Sequence, residues 1–271
     1  MALSDITLSA SVRASLINQQ MVASLMTRTT DRLASGRKVN TPIDDPQAFF
    51  AAQDHMNRAS DLSIRKDAMG EGIQTVTTAD QGIKSITVML QQAKGILASA
   101  RSTSDLTERA NLATQYDNLM GQIDNLANDA SYRGKNLLDS DTLVIEFNED
   151  GSSDLTITGF DASSSGLGIN PSVGGFAADA DIDTADTELD SALGTLRNEA
   201  QTLSTNLAIV TTRQDFAVNM INSLTTGADQ LTLADTNEEG ANMLALQTRQ
   251  QLGTVSLSLS SQAEQSILRL F

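Results

Sequence analysis

The 271-residue chain has no cysteine and one histidine, His55. The first absence excludes disulfides, thiol nucleophiles and thiolate metal centres. The second leaves too little imidazole for the usual acid–base constellations or a zinc site. Tryptophan is also absent, and seven Phe and two Tyr are the only aromatics. A core must therefore be built from Leu, Ile, Val, Met and Ala, which suits helices packed side by side. No run of 18 apolar residues occurs, so no membrane-spanning helix is expected. The first 20 residues lack a basic start followed by an apolar block and a small-residue cleavage site. No cleaved secretion signal is expected, and export would need a route that requires none. His-Glu-x-x-His is missing. Glu146, Asp150 and Asp154 have neither a Gly-rich phosphate loop nor a nucleophile motif beside them, and His55 reads as a partly buried helix residue. No enzymatic activity, cofactor or metal is expected.

The excess of acidic charge is also missing from part of the chain. The formal net charge is −16, yet residues 1–40 carry five basic residues against two acidic and residues 241–271 carry two against one. The acidic excess therefore lies entirely between the ends. Phosphates would be repelled, which disfavours nucleic acid and anionic membrane as partners. The two ends read as helices over residues 1–34 and 237–271, each with an apolar stripe. Near the start the stripe is Ile6, Ala10, Ala14, Ile17, Met21 and Leu25; near the end it is Leu252, Val255, Leu259, Ala263, Ile267 and Leu270. The three- and four-residue steps are coiled-coil spacing. A surface helix normally sets Lys and Glu opposite its stripe; here Ser, Thr, Asn and Gln stand there, as in helices covered on all sides by each other and by neighbouring chains.

Between the ends the pattern is helical with one interruption. The first helix stops at Ser35–Gly36, where Gly can serve as a C-cap. Asp45–Pro46 opens a second helix, with Asp as N-cap and Pro at the first helical position, running to about Ala100. Gly70, Gly72, Gly82 and Gly95 lie inside it and are read as points of close helix packing or a mild kink, with a functional hinge as the alternative. Asp105 with Glu108 resembles a capping box ahead of a third helix over about Leu106–Asn128. Leu143, Ile145 and Phe147 alternate, as do Leu155 and Ile157, which predicts a β-hairpin across a turn containing Asp150–Gly151. Asp161–Ala180, rich in Ala, Ser, Gly and Asp, reads as an exposed loop. Asp179, Asp181, Asp183 and Asp186 alternate like a calcium loop but lack its Gly and closing Glu, and read as a solvated helix start. A fourth helix is expected over about Thr184–Leu224, a linker over Thr225–Asp235 around Gly227, and a capping box of Thr236 with Glu239 at the start of the last helix.

The expected fold is mainly α: an elongated antiparallel helical bundle or coiled coil with the N- and C-terminal helices paired, plus a small β-hairpin region in the middle. Arg37 and Lys38 lie in one linker; Asp44 and Asp45 close it, and Glu238 and Glu239 open the last helix. If the ends pair antiparallel, these charges could orient the two linkers, or stay solvated and contribute under about 1 kcal/mol each.

Three segments, in order, carry a resemblance. Asp31-Arg-Leu-Ala-Ser-Gly-Arg-Lys-Val-Asn40 with Asp44-Asp-Pro46, Tyr132-Arg-Gly-Lys-Asn-Leu-Leu138, and the tail Gln262-Ala-Glu-Gln-Ser-Ile-Leu-Arg-Leu-Phe271 together resemble bacterial flagellin, particularly its short alphaproteobacterial type. The likeness covers about residues 1–140 and 184–271. It implies an extracellular filament subunit for motility, self-assembling into a homopolymer, with terminal helices forming an inner tube and the variable middle facing solvent. On that likeness, residues 1–40 and 227–271 are two halves of an inner domain. Residues 41–140 and 184–226 are the helices of an outer domain, and 141–183 its hairpin and exposed loop. The likeness also implies a flagellar export chaperone holding the last helix, contact with cap and hook-associated proteins, and passage through the flagellar secretion channel. A hook–filament junction protein shares the Ser-Gly-Arg-Lys-Val-Asn-Thr-Pro segment at residues 35–42 and is the alternative; the ending favours flagellin. The two apolar stripes are the expected polymerisation interface, against the alternative that they form a coiled coil within one monomer.

Overall fold

A computed structural model describes residues 10–268. Five helices and one hairpin follow in chain order: α1 (Ala10–Ser35), α2 (Pro46–Ser102), α3 (Leu106–Asp129), β1 (Thr142–Glu146), β2 (Asp154–Thr158), α4 (Asp179–Thr232) and α5 (Thr236–Leu268). The mainly helical class with a small antiparallel pair is as expected. The chain divides into two compact units, one of residues 1–57 and 223–271, the other of residues 58–222. α2 and α4 contribute to both.

The local rules account for most element ends. Gly36 takes the left-handed conformation, φ +69°, that closes α1. Asp45 Oδ1 accepts the Ala48 amide at 3.0 Å and starts α2. Asp105 caps α3 by accepting from Thr107 N, while Glu108 takes the Thr103 hydroxyl rather than the Asp105 amide. The hairpin pairs Leu143 with Ile157 and Ile145 with Leu155; Ile145 and Ile157 point inward, and Val144 stays exposed.

The unit of residues 58–222 holds a dense core. Met69, Ile86, Leu90, Tyr116, Ile123 and Leu189 are fully buried, from α2, α3 and α4 together. Gly72 and Gly82 allow close approach: a Cβ on Gly82 would meet Leu138 Cδ1 at 2.5 Å and Ala130 Cβ at 3.2 Å. The Tyr132–Leu138 segment is a tight turn, with Arg133 and Gly134 both at positive φ and Tyr132 bridged to Lys135. Its Asn136 is buried, donates to Ala127 O and Asn128 O at the end of α3, and accepts from Leu138 N. Leu137 and Leu138 are then delivered into the core. Arg65–Glu146 at 2.5 Å and Arg58–Glu149 at 2.7 Å tie α2 to the hairpin.

Four expectations are corrected here. Residues 161–178 are not an exposed loop. Ala162, Leu167, Ile169 and Phe176 are buried, and carboxylates from two helices anchor the backbone. Asp124 accepts from Ser164 N, Asp117 from Ser172 N, and Glu188 from Asn170 N. Phe176 adopts φ +57°, unfavourable for a bulky side chain. Its ring packs edge-on against Tyr116 at 5.4 Å, and Arg109, itself buried, donates to its carbonyl. Second, α4 begins at Asp179, five residues before the expected start, and its first turns are ion-paired rather than merely solvated: Asp179 with Arg109, Asp183 with Arg101, Asp186 and Asp190 with Lys94. Third, α4 continues through Gly227 to Thr232, so the linker is only Leu233–Asp235. Gly227 lies against the half-buried His55, with room for helical backbone to pass. Fourth, Asp235, not Thr236, caps α5, accepting from Asn237 N at 2.8 Å and Glu238 N at 3.2 Å. The Asp carboxylate competes well for free helix-start amides.

Candidate functional site

Within the unit that holds the chain ends, α1 and α5 pack against each other antiparallel. Gln19 Nε2 donates to Gln250 O, and Arg32 Nη1 pairs with Glu239 Oε1 at 2.8 Å. The covered positions on α1 are Val12, Ser15, Gln19, Val22, Met26 and Thr29, and on α5 Met243, Leu246, Gln250, Gly253 and Leu257. Both sets step by three and four, a coiled-coil seam. It is thin: Ser15, Gln19, Thr29 and Gln250 are polar, and apart from Val12 and Leu246 the apolar members are only half-buried. Gly253 gives the backbone access that the Gln19 side chain uses.

This seam is not the stripe expected from the sequence. Ala14 is exposed, and Ile17 and Met21 are 59% and 56% exposed. Leu252, Val255 and Leu259 are 65%, 60% and 66% exposed, and Ala263 is exposed. Leu25 is half-buried at the edge of the seam. Ile6 and Leu270, and the side chains of Ala10 and Ile267, lie outside the described residues. At 3.6 residues per turn the exposed stripe lies more than about a quarter turn from the seam on each helix. Each helix thus carries two apolar faces. Periodicity reports both alike, which is why sequence reasoning alone selects one and misses the other.

The two linkers run side by side through backbone bonds. Lys38 N and Val39 N donate to Thr232 O, Ala234 N donates to Gly36 O, and Arg37 bridges Leu233. The expected charge pairs are rearranged. Lys38 Nζ donates to Gln230 O, and Arg37 takes part through its backbone, not through an ion pair, among the described residues. Asp44 Oδ2 accepts from Asn40 N, Thr41 N and the Thr41 hydroxyl, and Asp45 serves its own helix start. The Thr41 amide first, then that of Asn40, holds the Asp44 carboxyl below its ordinary value. Nearby backbone amides are closer and better aligned for these aspartates than distant cations. Glu238 remains exposed, and Glu239 is claimed by Arg32, a residue that spacing along the chain does not single out.

Among the described residues no group of three or more His, Cys, Asp or Glu side chains is placed to hold a metal, and no helix is long and apolar enough to cross a membrane. What the site offers is therefore apolar surface: two faces per terminal helix, one used inside the chain and one open.

Residues 7–142 match the family of the bacterial flagellin N-terminal helical region. Flagellin FljM of Caulobacter vibrioides is 30% identical over 274 residues, covering 100% of both chains. A flagellin of Brucella melitensis is 26% identical, covering 90% of each. The crystal structure of Bacillus cereus flagellin aligns with a TM-score of 0.49 at 19% identity, over 58% of this chain and 94% of that one. With its whole length matched by such a relative and half of it by the family pattern, the chain belongs to the bacterial flagellin family.

Proposed function

We propose that the chain is the repeating subunit of a flagellar filament and polymerises through the open apolar faces of α1 and α5. The observation that carries this is the exposure of Ile17, Met21, Leu252, Val255 and Leu259 while the intramolecular seam is made by other residues. Leaving five large apolar side chains in water forgoes roughly 1.5–3 kcal/mol for each that a neighbour could cover. A monomeric coiled coil would have no use for a second stripe on both partners. Family membership supports a structural role and an extracellular place in the filament, and the relatives named above are flagellins, which favours the filament over the hook–filament junction.

On this reading the chain ends, residues 1–40 and 227–271, form the inner part of the filament. Residues 41–226 form the outer part, with the hairpin region 141–183 toward solvent. The acidic middle and nearly neutral ends support that placement. The open stripe of α5 is the surface a cytoplasmic export chaperone would cover before passage through the flagellar channel. Cap and hook-associated proteins would meet the filament at its two ends.

The test compares the full chain with a Leu252→Asp/Leu259→Asp variant by electron microscopy and circular dichroism. Long uniform filaments from the first, and helical but soluble monomer from the second, are expected. Normal filaments from the variant would remove the stripe from the interface. Short rings from the full chain would favour the junction protein.

A further inference from the structure

Among the described residues, the most exposed large apolar side chain is that of Ile43, at 93%. It stands at the tip of the α1–α2 linker after Pro42 and before Asp44 and Asp45. The tip is not loose. Asp44 holds the amides of Asn40 and Thr41, Asp45 caps α2, and Val39 is buried at the linker's base. A rigid loop thus holds one isoleucine out into water. Each aspartate uses one oxygen for these bonds; Asp44 Oδ1 and Asp45 Oδ2 have no hydrogen-bond partner among the described residues.

The unit of residues 58–222 contains a groove of the opposite character. It is a cavity of about 210 Å³ whose apolar lining is Leu62, Phe147, Phe216, Ala217 and Met220. For scale, a dry cavity of about 150 Å³ takes up benzene, so one isoleucine side chain fits with space to spare. Phe216 is 56% exposed at its mouth. Two arginines stand on the rim. Arg58 is paired with Glu149 at 2.7 Å; Arg213 lies over the Phe147 ring, 5.2 Å from its centroid, and has no carboxylate partner among the described residues.

We propose that the linker tip of one copy docks in this groove of a second copy, Ile43 entering the apolar floor and Asp44 and Asp45 facing Arg213 and Arg58. This rests on the filament reading and adds to it a second contact, separate from the terminal stripes. Polarity and charge are complementary: a branched apolar tip beside two carboxylates, against an apolar hole whose rim carries Arg213 free of a carboxylate and Arg58 already paired with Glu149. The occupant is another copy because Ile43 is uncovered in its own chain, and because knob and hole are different surfaces. A contact between unlike surfaces is heterologous; when its rotation does not close, it propagates an open helix, one knob and one hole per subunit. That is the geometry a filament requires and a closed dimer does not.

The test exploits the absence of cysteine. Full-length Ile43→Cys and Phe216→Cys chains are mixed, polymerised and treated with a short thiol-to-thiol cross-linker. Covalent dimers from mixed filaments, and none from either variant alone or from mixed monomers, are expected. Filaments that form without mixed dimers would overturn this contact and leave the filament reading standing. Failure of the unsubstituted chain to polymerise would overturn both. A second measurement covers the case in which a cysteine variant assembles poorly. Ile43→Ser removes a side chain that nothing in the monomer covers, so monomer melting should not move, while the critical concentration for assembly should rise roughly tenfold or more. An unchanged critical concentration would overturn the proposal. Arg213→Glu should raise it too, and an Asp44/Asp45-facing role predicts that added salt narrows the difference from the unsubstituted chain.

Discussion

The two compact units of this chain are built from the same residue types by opposite rules. In residues 58–222 a continuous apolar core forms, and the largest fully buried side chains, from Met69 to Leu189, all lie there, although Ile64, Leu106 and Val173 stay more than 60% exposed. In the unit that holds the chain ends, the few buried apolar residues are Val12, Val39, Ala52, Ala228 and Leu246, while Ile17, Met21, Leu252, Val255 and Leu259 face out. The first unit completes its core within one chain. The second joins its terminal helices by a thin seam and, among the described residues, a single ion pair between them, Arg32–Glu239. Isolated helices gain little from propensity alone and depend on tertiary packing. The comparison therefore teaches that one unit closes its core within the chain, while the other leaves apolar faces that, on the proposed filament reading, a neighbour would cover.

The sharpest way to break the comparison is to substitute one apolar residue in each unit. Leu90→Ala, at a fully buried site, should lower monomer stability by about 2–5 kcal/mol, read as a drop in the denaturant midpoint. Ile17→Asp should leave that midpoint within about 0.5 kcal/mol, as surface changes do, yet abolish filament growth. Equal losses of monomer stability from both would show that the terminal unit has its own core after all. Next in size is Arg109→Met. The guanidinium donates to the carbonyls of Thr103, Phe176 and Ala177 and to Asp179, so its loss leaves buried carbonyls unpaired and should cost about 3 kcal/mol. Hydrogen exchange should speed up across residues 161–178 and not in α1 or α5.

A smaller effect separates glycines that look alike in sequence. A Cβ on Gly95 meets nothing within 4 Å, so Gly95→Ala should stabilise the monomer by about 1 kcal/mol through helix propensity. At Gly82 the same change meets Leu138 Cδ1 at 2.5 Å and Ala130 Cβ at 3.2 Å, and overpacking should outweigh the propensity gain for a net loss of about 1 kcal/mol. Opposite signs in thermal melts are the expected result; equal signs would mean the α2–α3 region yields more than its packing suggests.

These glycines also mark what the sequence can reveal. Helix existence and most boundaries follow from capping and periodicity: Asp45–Pro46, Asp105 and Gly36 act locally, so local reading finds them. The hairpin follows from alternation at Leu143–Phe147 and Leu155–Ile157. What local reading misses depends on partners far along the chain. Residues 161–178 look like a loop because their anchors, Asp117, Asp124 and Glu188, lie on α3 and α4. Gly227 looks like a break because its neighbour His55 is on α2. At the assembly site the apolar stripes are legible, but which face packs inside the chain is not. Seam and open face share the same spacing, and only docking of α1 on α5 selects between them. The Arg32–Glu239 pair is hidden for the same reason, being set by antiparallel register rather than by proximity in sequence.

The last and smallest effect concerns pH and the linker between the two kinds of packing. Asp44 holds the amides of Thr41 and Asn40, and those bonds keep its carboxyl below the ordinary 3.8. A depressed folded-state value means the contribution is complete above pH 3.8 and is lost as pH falls through the lower folded value. At neutral and mildly acidic pH the linker should therefore be insensitive to acid. Below pH 3.8 the amide signals of Asn40 and Thr41 should shift, and their protection, corrected for intrinsic exchange, should fall before that of core amides such as Leu90 in the other unit. Asp44→Asn keeps an acceptor without the charge, so it should weaken protection at neutral pH and flatten the acid response. If linker and core instead lose protection together, the linker is held by the rest of the unit rather than by this carboxylate. In that case the rigidity of the Ile43 tip would derive from the backbone bonds between residues 36–39 and 232–234 instead.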